Sequence, residues 1–573
     1  MKHLRIKINK FEIDGHEILN DIDFVLNEKD KISIVGGNGV GKTTLLRILT
    51  GEITDFDGHL DNVGNLKIGY LSQIYSDNED KLVREELKDA FTEINKMDEE
   101  LSSLEEEMGN NPENMDLIEK YTEKIDIFNN IGGYNYNNTI HQVASGMGIF
   151  ELLEKPLTQI SGGQRTKVAL AKILLEAPDI LMLDEPTNFI DLNSVEWLEN
   201  YLQTKWYGGY IIISHDREFL DKTCDKTYEM WPNRPINFYH TNYSGYLKER
   251  AIKEKKALER FERQQEHIEK EEKLINRFRA GSRASMAKSR AKALEKLDRV
   301  EKPYIPKTPN FYFDYTEETN ERIFHMKEMF VGRQDPLFYI GEINLMKNQR
   351  VGIVGENGAG KSTLLKTIMG KIDVLDGMLL KGKGLKISYY SQMHEELDRE
   401  STIRQNFEKF GINYPDQQLI GLLHHYLFEK EDIEKKVKYL SGGQTSKLLF
   451  AILGQIESNV LILDEPTNHL DYDSREALEK ALQKYKGTIL FISHDRYFVN
   501  KMADNLWLIA DGELVLNYGN YEDYKYKKEK GLDFNANLFD EEAQLNLALE
   551  DKLGEKEAKR IRQKYGRGKK NRK

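Results

Sequence analysis

Two stretches carry residue types that can hold a triphosphate. Gly36-Gly37-Asn38-Gly39-Val40-Gly41-Lys42-Thr43 and, 319 residues later, Gly355-Glu356-Asn357-Gly358-Ala359-Gly360-Lys361-Ser362 both fit G-x-x-x-x-G-K-[ST]. In such a loop glycines let backbone N–H groups close around phosphate oxygens, the following helix N-terminus favours negative charge, the lysine reaches the β/γ-phosphates and the hydroxyl meets Mg²⁺. A single match also arises as a chance glycine turn. Two matches in equivalent settings leave that reading little room.

The loops need a second buried strand that ends in a metal-facing carboxylate. The apolar runs ending at Asp184 and Asp464 supply it, each followed by a glutamate. Asp184 and Asp464 are read as holding Mg²⁺ through its hydration shell, and Glu185 and Glu465 as polarising the attacking water. Simple strand capping is the alternative. Against it, Leu-Asp-Glu-Pro-Thr-Asn recurs at an offset of 280, the same offset that relates Ser161-Gly162-Gly163-Gln164 to Ser441-Gly442-Gly443-Gln444.

These residues require elements to place them. Short β-branched runs (31–35 and 350–354) precede the loops, and helical apolar spacing follows (Leu45, Leu46, Ile48, Leu49; Leu364, Leu365, Ile368, Met369). The expected fold is therefore α/β, two copies of one strand–loop–helix domain. The offset falls from 319 to 280 between the matched Gln73 and Gln392 and the Ser-Gly-Gly-Gln stretches, so the first copy holds 39 extra residues. Leu87, Phe91, Ile94, Leu101 and Met108, then Met115, Ile118, Tyr121, Ile125 and Phe128, predict a helical hairpin at about 85–131, either functional or inert.

Domain limits follow: a first domain at 1–245, a charged helical hairpin at 246–310, a second domain at 311–524 and a C-terminal extension at 525–573. The linker hairpin is predicted from Leu258, Phe261, Ile268 and Ile275, a break at Ala280-Gly281-Ser282, and a return through Ala287, Ala291, Leu294 and Leu297. Arg277, Arg279, Arg283, Lys288 and Arg290 crowd its bend. That basic end reads as a nucleic-acid contact or as an ordinary solvated helix pair. The extension is expected to hold a helix near 541–552 and a disordered basic tail, which serves nucleic-acid binding or solubility.

Composition sets limits. With 573 residues the chain exceeds one core, and 39% hydrophobic content suffices for several. At 31% charged residues and a mean hydropathy of -0.63, with no long apolar run, a membrane span is not expected. The single cysteine, Cys224, excludes an internal disulfide and a zinc cluster. Charged sequence at the N-terminus argues against secretion, and a cytoplasmic location is expected. The net charge of -13 hides local basic patches: 277–296 has seven basic residues against one acid, and 559–573 has nine and none.

With both motif sets in place, each half resembles an ATP-binding cassette nucleotide-binding domain, and the whole, over about residues 1–524, resembles the ABC-F family of soluble tandem-cassette translation factors. In that family Ser-Gly-Gly-Gln is the cassette signature, and two cassettes pair head to tail. The resemblance implies one ATP site from Lys42, Thr43, Gln73, Asp184, Glu185 and His215 with Ser441 and Gly443. The other takes Lys361, Ser362, Gln392, Asp464, Glu465 and His494 with Ser161 and Gly163. Thr43, Gln73 and Asp184, and Ser362, Gln392 and Asp464, are the implied Mg²⁺ sets. Thr44, Thr363, Gly162, Gln164, Gly442 and Gln444 join the ATP-binding residues. His215 and His494 match the switch histidine, and Phe11 and Phe330 the aromatic that stacks on adenine, with a core phenylalanine as the alternative.

The same resemblance implies ATP hydrolysis, a monomer with intramolecular cassette pairing, and a ribosome partner whose tRNA and rRNA meet the linker hairpin. Binding on ATP and release on hydrolysis would modulate translation. Competing readings are a transporter ATPase lacking its membrane subunit, a DNA-maintenance ATPase on branched nucleic acid, and ribosome protection against an antibiotic. One departure stands out: Asn188-Phe189-Ile190-Asp191 differs from the usual Asn468-His469-Leu470-Asp471, which puts equal rates at the two sites in question.

Overall fold

A computed structural model describes residues 2–13, 15–71, 80–111, 114–188, 190–232, 234–278, 283–304, 306–532 and 534. Gln73, Phe189, Arg279, Gly281 and the expected helix near 541–552 lie outside the described residues.

Each half is a sandwich around a parallel sheet. In the first, strands run Ile68–Leu71, Ile180–Asp184, Gly209–Ile213, Lys31–Gly36, Lys226–Met230 and Asn237–Tyr239, all parallel except the last pair. The run Ile180 to Leu183 is apolar throughout because both faces are covered. Ile180 and Met182 enter one core with Leu4, Leu45 and Ile211, while Leu181 and Leu183 enter another with Val168, Leu198 and Ile212. The second half repeats this: Val460 and Ile462 face one core, Leu461 and Leu463 the other. An antiparallel hairpin, His3–Ile13 with His16–Asn27, covers the first phosphate loop, and Arg322–Gly332 with Pro336–Met346 covers the second. The parallel arrangement aims both loops and both carboxylate strand ends at one edge, where a ligand crevice forms.

The insertion folds as the helices Thr92–Asn110 and Met115–Asn130, closed on a small core of Ile94, Leu101 and Phe128. Leu87 differs from the expectation. It belongs to the separate helix Val83–Lys88 and is buried in the cassette core. Glu105 of the first helix accepts from Tyr121 Oη of the second at 2.7 Å.

The linker is one 36-residue helix, Tyr243–Phe278, and a shorter return, Ala284–Glu295. Ile268 and Ala287 are buried between them. Arg290 Nη1 donates to both Glu271 oxygens at 2.7 and 2.8 Å, and Gln264 ties to Asp298 O and to Val300 N. Arg290 is therefore a clasp within the hairpin, which corrects its grouping with the free basic end. The chain then joins the second cassette early, with Phe311 and Phe313 in its core and Asn310 N bonded to His425 O at 2.8 Å. Among the described residues no helix is long and apolar enough to cross a membrane.

Candidate functional site: two clefts between the cassettes

The phosphate loops are built alike. Gly41 and Gly360 enter their helices, Lys42–Leu49 and Lys361–Met369, at φ 93° and 99°. A Cβ on Gly41 would lie 2.6 Å from Leu19 Cδ2, so the covering hairpin also requires glycine there. Lys42 Nζ donates to Gly36 O and Gly37 O at 2.9 and 2.8 Å, and Lys361 Nζ to Gly355 O and Glu356 O at 2.8 and 2.9 Å. Burial lowers the proton affinity of both lysines, and the adjacent carboxylates oppose it. Val40 is buried beneath the first loop and Ala359 packs beneath the second.

Thr43 Oγ1 donates to Asp184 Oδ2 at 2.6 Å, and the Ser362 hydroxyl bonds Asp464. Burial raises Asp184 and pushes Asp464 up to about 6. Asp464 Oδ1 is buried without a hydrogen-bond partner among the described residues. A hydroxyl and a raised carboxylate at a phosphate loop fit Mg²⁺, which takes one or two protein oxygens and completes its shell with phosphate and water. No cluster of three or more His, Cys, Asp or Glu that could hold a metal occurs among the described residues, and such a site needs none.

Glu185 and Glu465 share an unusual backbone, φ 50° and 54°. Left-handed geometry disfavours a residue with a Cβ by about 1–2 kcal/mol, and strain of this kind concentrates at working sites. Backbone bonds hold it: Glu185 N to Ile213 O at 2.8 Å, Glu465 N to Ile492 O at 3.0 Å. The side chains meet two histidines, with His215 Nε2 3.3 Å from Glu185 Oε1 and His494 Nε2 3.4 Å from Glu465 Oε1. Both backbone N–H groups, of His215 and His494, donate to the second carboxylate oxygen at 3.2 Å. Burial pushes each glutamate up to about 7, and Arg475 pulls Glu185 back down. His215 falls well below its ordinary value through burial and then Arg475; His494 falls to about 3 through burial and then Lys361. Both imidazoles are neutral near pH 7.

Ser161 and Ser441 cap their helices, Gly162–Glu176 and Gly442–Leu453, in capping boxes closed by Gln164 and Gln444. Those glutamine amide oxygens are thus engaged with the cap. The helix N-termini point across the interface. One cavity of about 350 Å³ is lined by Ser161 and Gly163 together with Asn357, Gly358, Lys361, Ser362, Thr363, Gln392, Asp464, Glu465 and His494. The other, about 690 Å³, joins Ser441, Gly442 and Gly443 to Asn38, Gly39, Lys42, Thr43, Thr44, Asp184, Glu185 and His215. These volumes suit a nucleotide. Gly443 approaches so closely that its Cβ would lie 2.8 Å from His469 O. Asn38 Nδ2 donates to that same carbonyl at 2.8 Å.

Phe11 and Phe330 stand on the covering hairpins, outside the residues that line the two cavities. Phe11 packs against the Leu4–Ile6 core, Phe330 is 37% exposed with its ring 5.0 Å from Tyr339, and neither lines a cleft. Ile18 and Leu337 of the covering hairpins hold the cleft positions.

Sequence reasoning missed the residues that join the halves. Arg217 pairs with Glu479, and Arg496 is buried among Glu199, Asp216 and Glu218 of the first cassette. Their signal was present, since the Ser-His-Asp-Arg arginine and this glutamate recur in both copies. Arg475, which donates to His215 O at 3.0 Å, had no such signal because its counterpart is Val195.

A profile described as ABC transporter matches residues 19–188 and 342–468, and a second of the same description matches 232–313. YdiF of Bacillus subtilis (strain 168) is 35% identical over 523 residues, 90% of this chain and 81% of that protein. ABC transporter F family member 5 of Arabidopsis thaliana is 34% identical over 93% of this chain and 78% of its own length. The chain belongs to the ABC-F family. YheS of Escherichia coli (strain K12) is 32% identical over 89% of this chain and 79% of its own. Among solved structures, the RNase-L Inhibitor aligns at a TM-score of 0.56 with 17% identity, covering 92% of this chain and 93% of that one. The archaeal ribosome recycling factor aABCE1, in complex with ribosomal stalk protein aP1, aligns at 0.55 with 17% identity over 92% and 98%. These two likenesses establish the tandem-cassette fold. The ABC-F chain is accordingly an ATP hydrolase of two cassettes.

Proposed function

We propose that this ABC-F ATPase binds the ribosome with ATP in both clefts, sets its linker hairpin against tRNA or rRNA, modulates translation from that position and leaves after hydrolysis, in the cytoplasm. The observation that carries the reading is the hairpin's placement. Its root, Tyr243, packs on Tyr472 of the second cassette at 5.8 Å between ring centroids, one residue beyond Asp471. Its far end carries Arg277, Arg283 and Lys288 with no salt bridge found for them among the described residues. One element thus touches the catalytic interface and offers phosphate-binding charge remote from it. Support of a coarser kind comes from the neighbouring folds, one of which is a ribosome recycling factor bound to a stalk protein.

In each cleft water attacks the γ-phosphorus, the bond to the β-phosphate oxygen breaks, and ADP and phosphate leave. Glu185 and Glu465 accept a hydrogen bond from the water; the lysines and signature N–H groups hold the phosphate oxygens. Thr43 with Asp184, and Ser362 with Asp464, would hold Mg²⁺, which neutralises phosphate charge when bound. Because each cleft takes its donors from both cassettes, ATP ties them together, and loss of the γ-phosphate removes the tie.

The test is co-sedimentation with ribosomes of the double variant Glu185→Gln, Glu465→Gln. With ATP it should pellet with ribosomes, while hydrolysis falls at least about 100-fold. Wild-type turnover would refute the roles of the glutamates. Slow turnover with no ribosome binding would refute the partner alone.

A further inference from the structure

The two clefts differ at one buried position. Arg475, 5% exposed, stands where the first cassette has Val195, 1% exposed. Nε of Arg475 donates to Leu470 O at 2.9 Å, and Nη1 lies 3.4 Å from Asp495 Oδ2, so two anchors belong to its own cassette. The same Nη1 crosses the interface to His215 O at 3.0 Å. That carbonyl belongs to the residue whose N–H and imidazole both meet Glu185. Valine has no donor. Val195 can give His494 no matching bond.

We infer that Arg475 is a positioning residue for the Lys42 site, holding His215 and through it Glu185 in working geometry from the opposite cassette, and that the two ATP sites consequently turn over unequally. The inference rests on Glu185 and Glu465 being the water-polarising carboxylates. Arg475 lines both cavities, and its bond across the interface is to the histidine's peptide. A buried, charged donor to a backbone carbonyl is stronger than a neutral one, and its loss frees the segment that orients the glutamate. Displacement of a catalytic group by about 1 Å lowers the rate by roughly 100-fold. The Lys361 site has no equivalent hold: Arg475 lines that cavity too, but its bonds on that side go to Leu470 O and Asp495 of its own cassette, not to the His494 peptide.

The experiment introduces Arg475→Val, the residue its counterpart already tolerates, into two backgrounds. In Glu465→Gln only the Lys42 site turns over; in Glu185→Gln only the Lys361 site does. We expect kcat in the first background to fall about tenfold or more, with KM for ATP moving less than threefold, and the loss in the second background to be at least fivefold smaller. Arg475→Lys, which keeps charge and donor, should recover part of the first loss. If Arg475→Val fails to fold, Arg475→Gln reads the same asymmetry. Equal losses in both backgrounds, or none in the first, overturn the inference. If the double variant Glu185→Gln, Glu465→Gln, before any change at 475, turns over like the wild type, it is the carboxylate assignment that fails.

Discussion

Arg217 of the first cassette donates to Glu479 of the second, Nη2 to Oε1 at 3.3 Å, with its guanidinium 4.4 and 4.3 Å from the rings of Tyr472 and Tyr497. The pair has a mate in Arg496 and Glu199. Each glutamate also takes a lysine from its own cassette, Lys222 at 3.1 Å for Glu199 and Lys501 at 2.8 Å for Glu479. The arginines lie two residues after His215 and His494. Docking of the halves and placement of these two histidines are therefore one structural event.

Removing Arg496 should be severe, because it is fully buried and leaves Glu199, Asp216 and Glu218 facing one another. Breaking such a pair costs about 3–5 kcal/mol. Arg496→Ala should lower the denaturation midpoint and ATP turnover together. Arg263→Ala, on the exposed hairpin surface, should change stability by less than about 0.5 kcal/mol. Comparable denaturation curves for the two variants would contradict the burial argument.

Ser161→Arg and Ser441→Arg each remove a cap, at about 1 kcal/mol, and fill a cleft. Each should disable the site whose phosphate loop lies in the other cassette, at least about tenfold in single-glutamate backgrounds. Should Ser441→Arg slow only the Lys361 site, the pairing in the structure would be wrong.

Asp473, at the hairpin root, is pushed up to about 6 by burial, with Arg250 opposing and Asp471 adding to the rise. Its value in the unfolded chain is 3.8. Above pH 6 it is ionised in both states and the fold bears the cost, roughly 3 kcal/mol; between 6 and 3.8 the folded state binds the extra proton and the cost fades. Asp473→Asn should therefore stabilise the protein at pH 7 and lose that advantage as pH falls toward 4. Chemical denaturation at several pH values measures it. A pH-independent difference would sink the argument.

At the basic end, neutralising Arg277, Arg283 and Lys288 should weaken ribosome affinity while basal hydrolysis changes little. The salt dependence of binding should flatten by up to roughly 0.7–0.9 for each phosphate that is no longer neutralised. Arg290→Ala should behave otherwise. It loses its bond to the half-buried Glu271 and loosens the hairpin, which circular dichroism on heating would report.

Much was legible because it repeats locally. Strand 180–184 could be read from four apolar residues ending in Asp184, and the long helix from Leu258, Phe261, Ile268 and Ile275 at helical spacing. The phosphate loops and capping serines were visible as contiguous motifs. What escaped depends on docking. Arg475 meets His215 across 260 residues of sequence, and no periodicity encodes that distance. Leu87 was assigned to the wrong element because its spacing suits either helix. The capping role of Gln164 was hidden by its membership of a ligand-binding motif, although Ser-x-x-Gln is itself a capping pattern.

The clasp of Arg290 on Glu271 and of Gln264 on Asp298 and Val300 makes the two linker helices behave as one beam. At about 1.5 Å per residue, the 36-residue helix is about 54 Å long. Its root sits against Tyr472 of the second cassette, one residue beyond Asp471. A rotation of about 10° there carries the far end through roughly 9 Å, by lever geometry over that length. Under the proposed cycle, a small rearrangement around a phosphate would become a movement the size of a nucleotide at the far end of this helix.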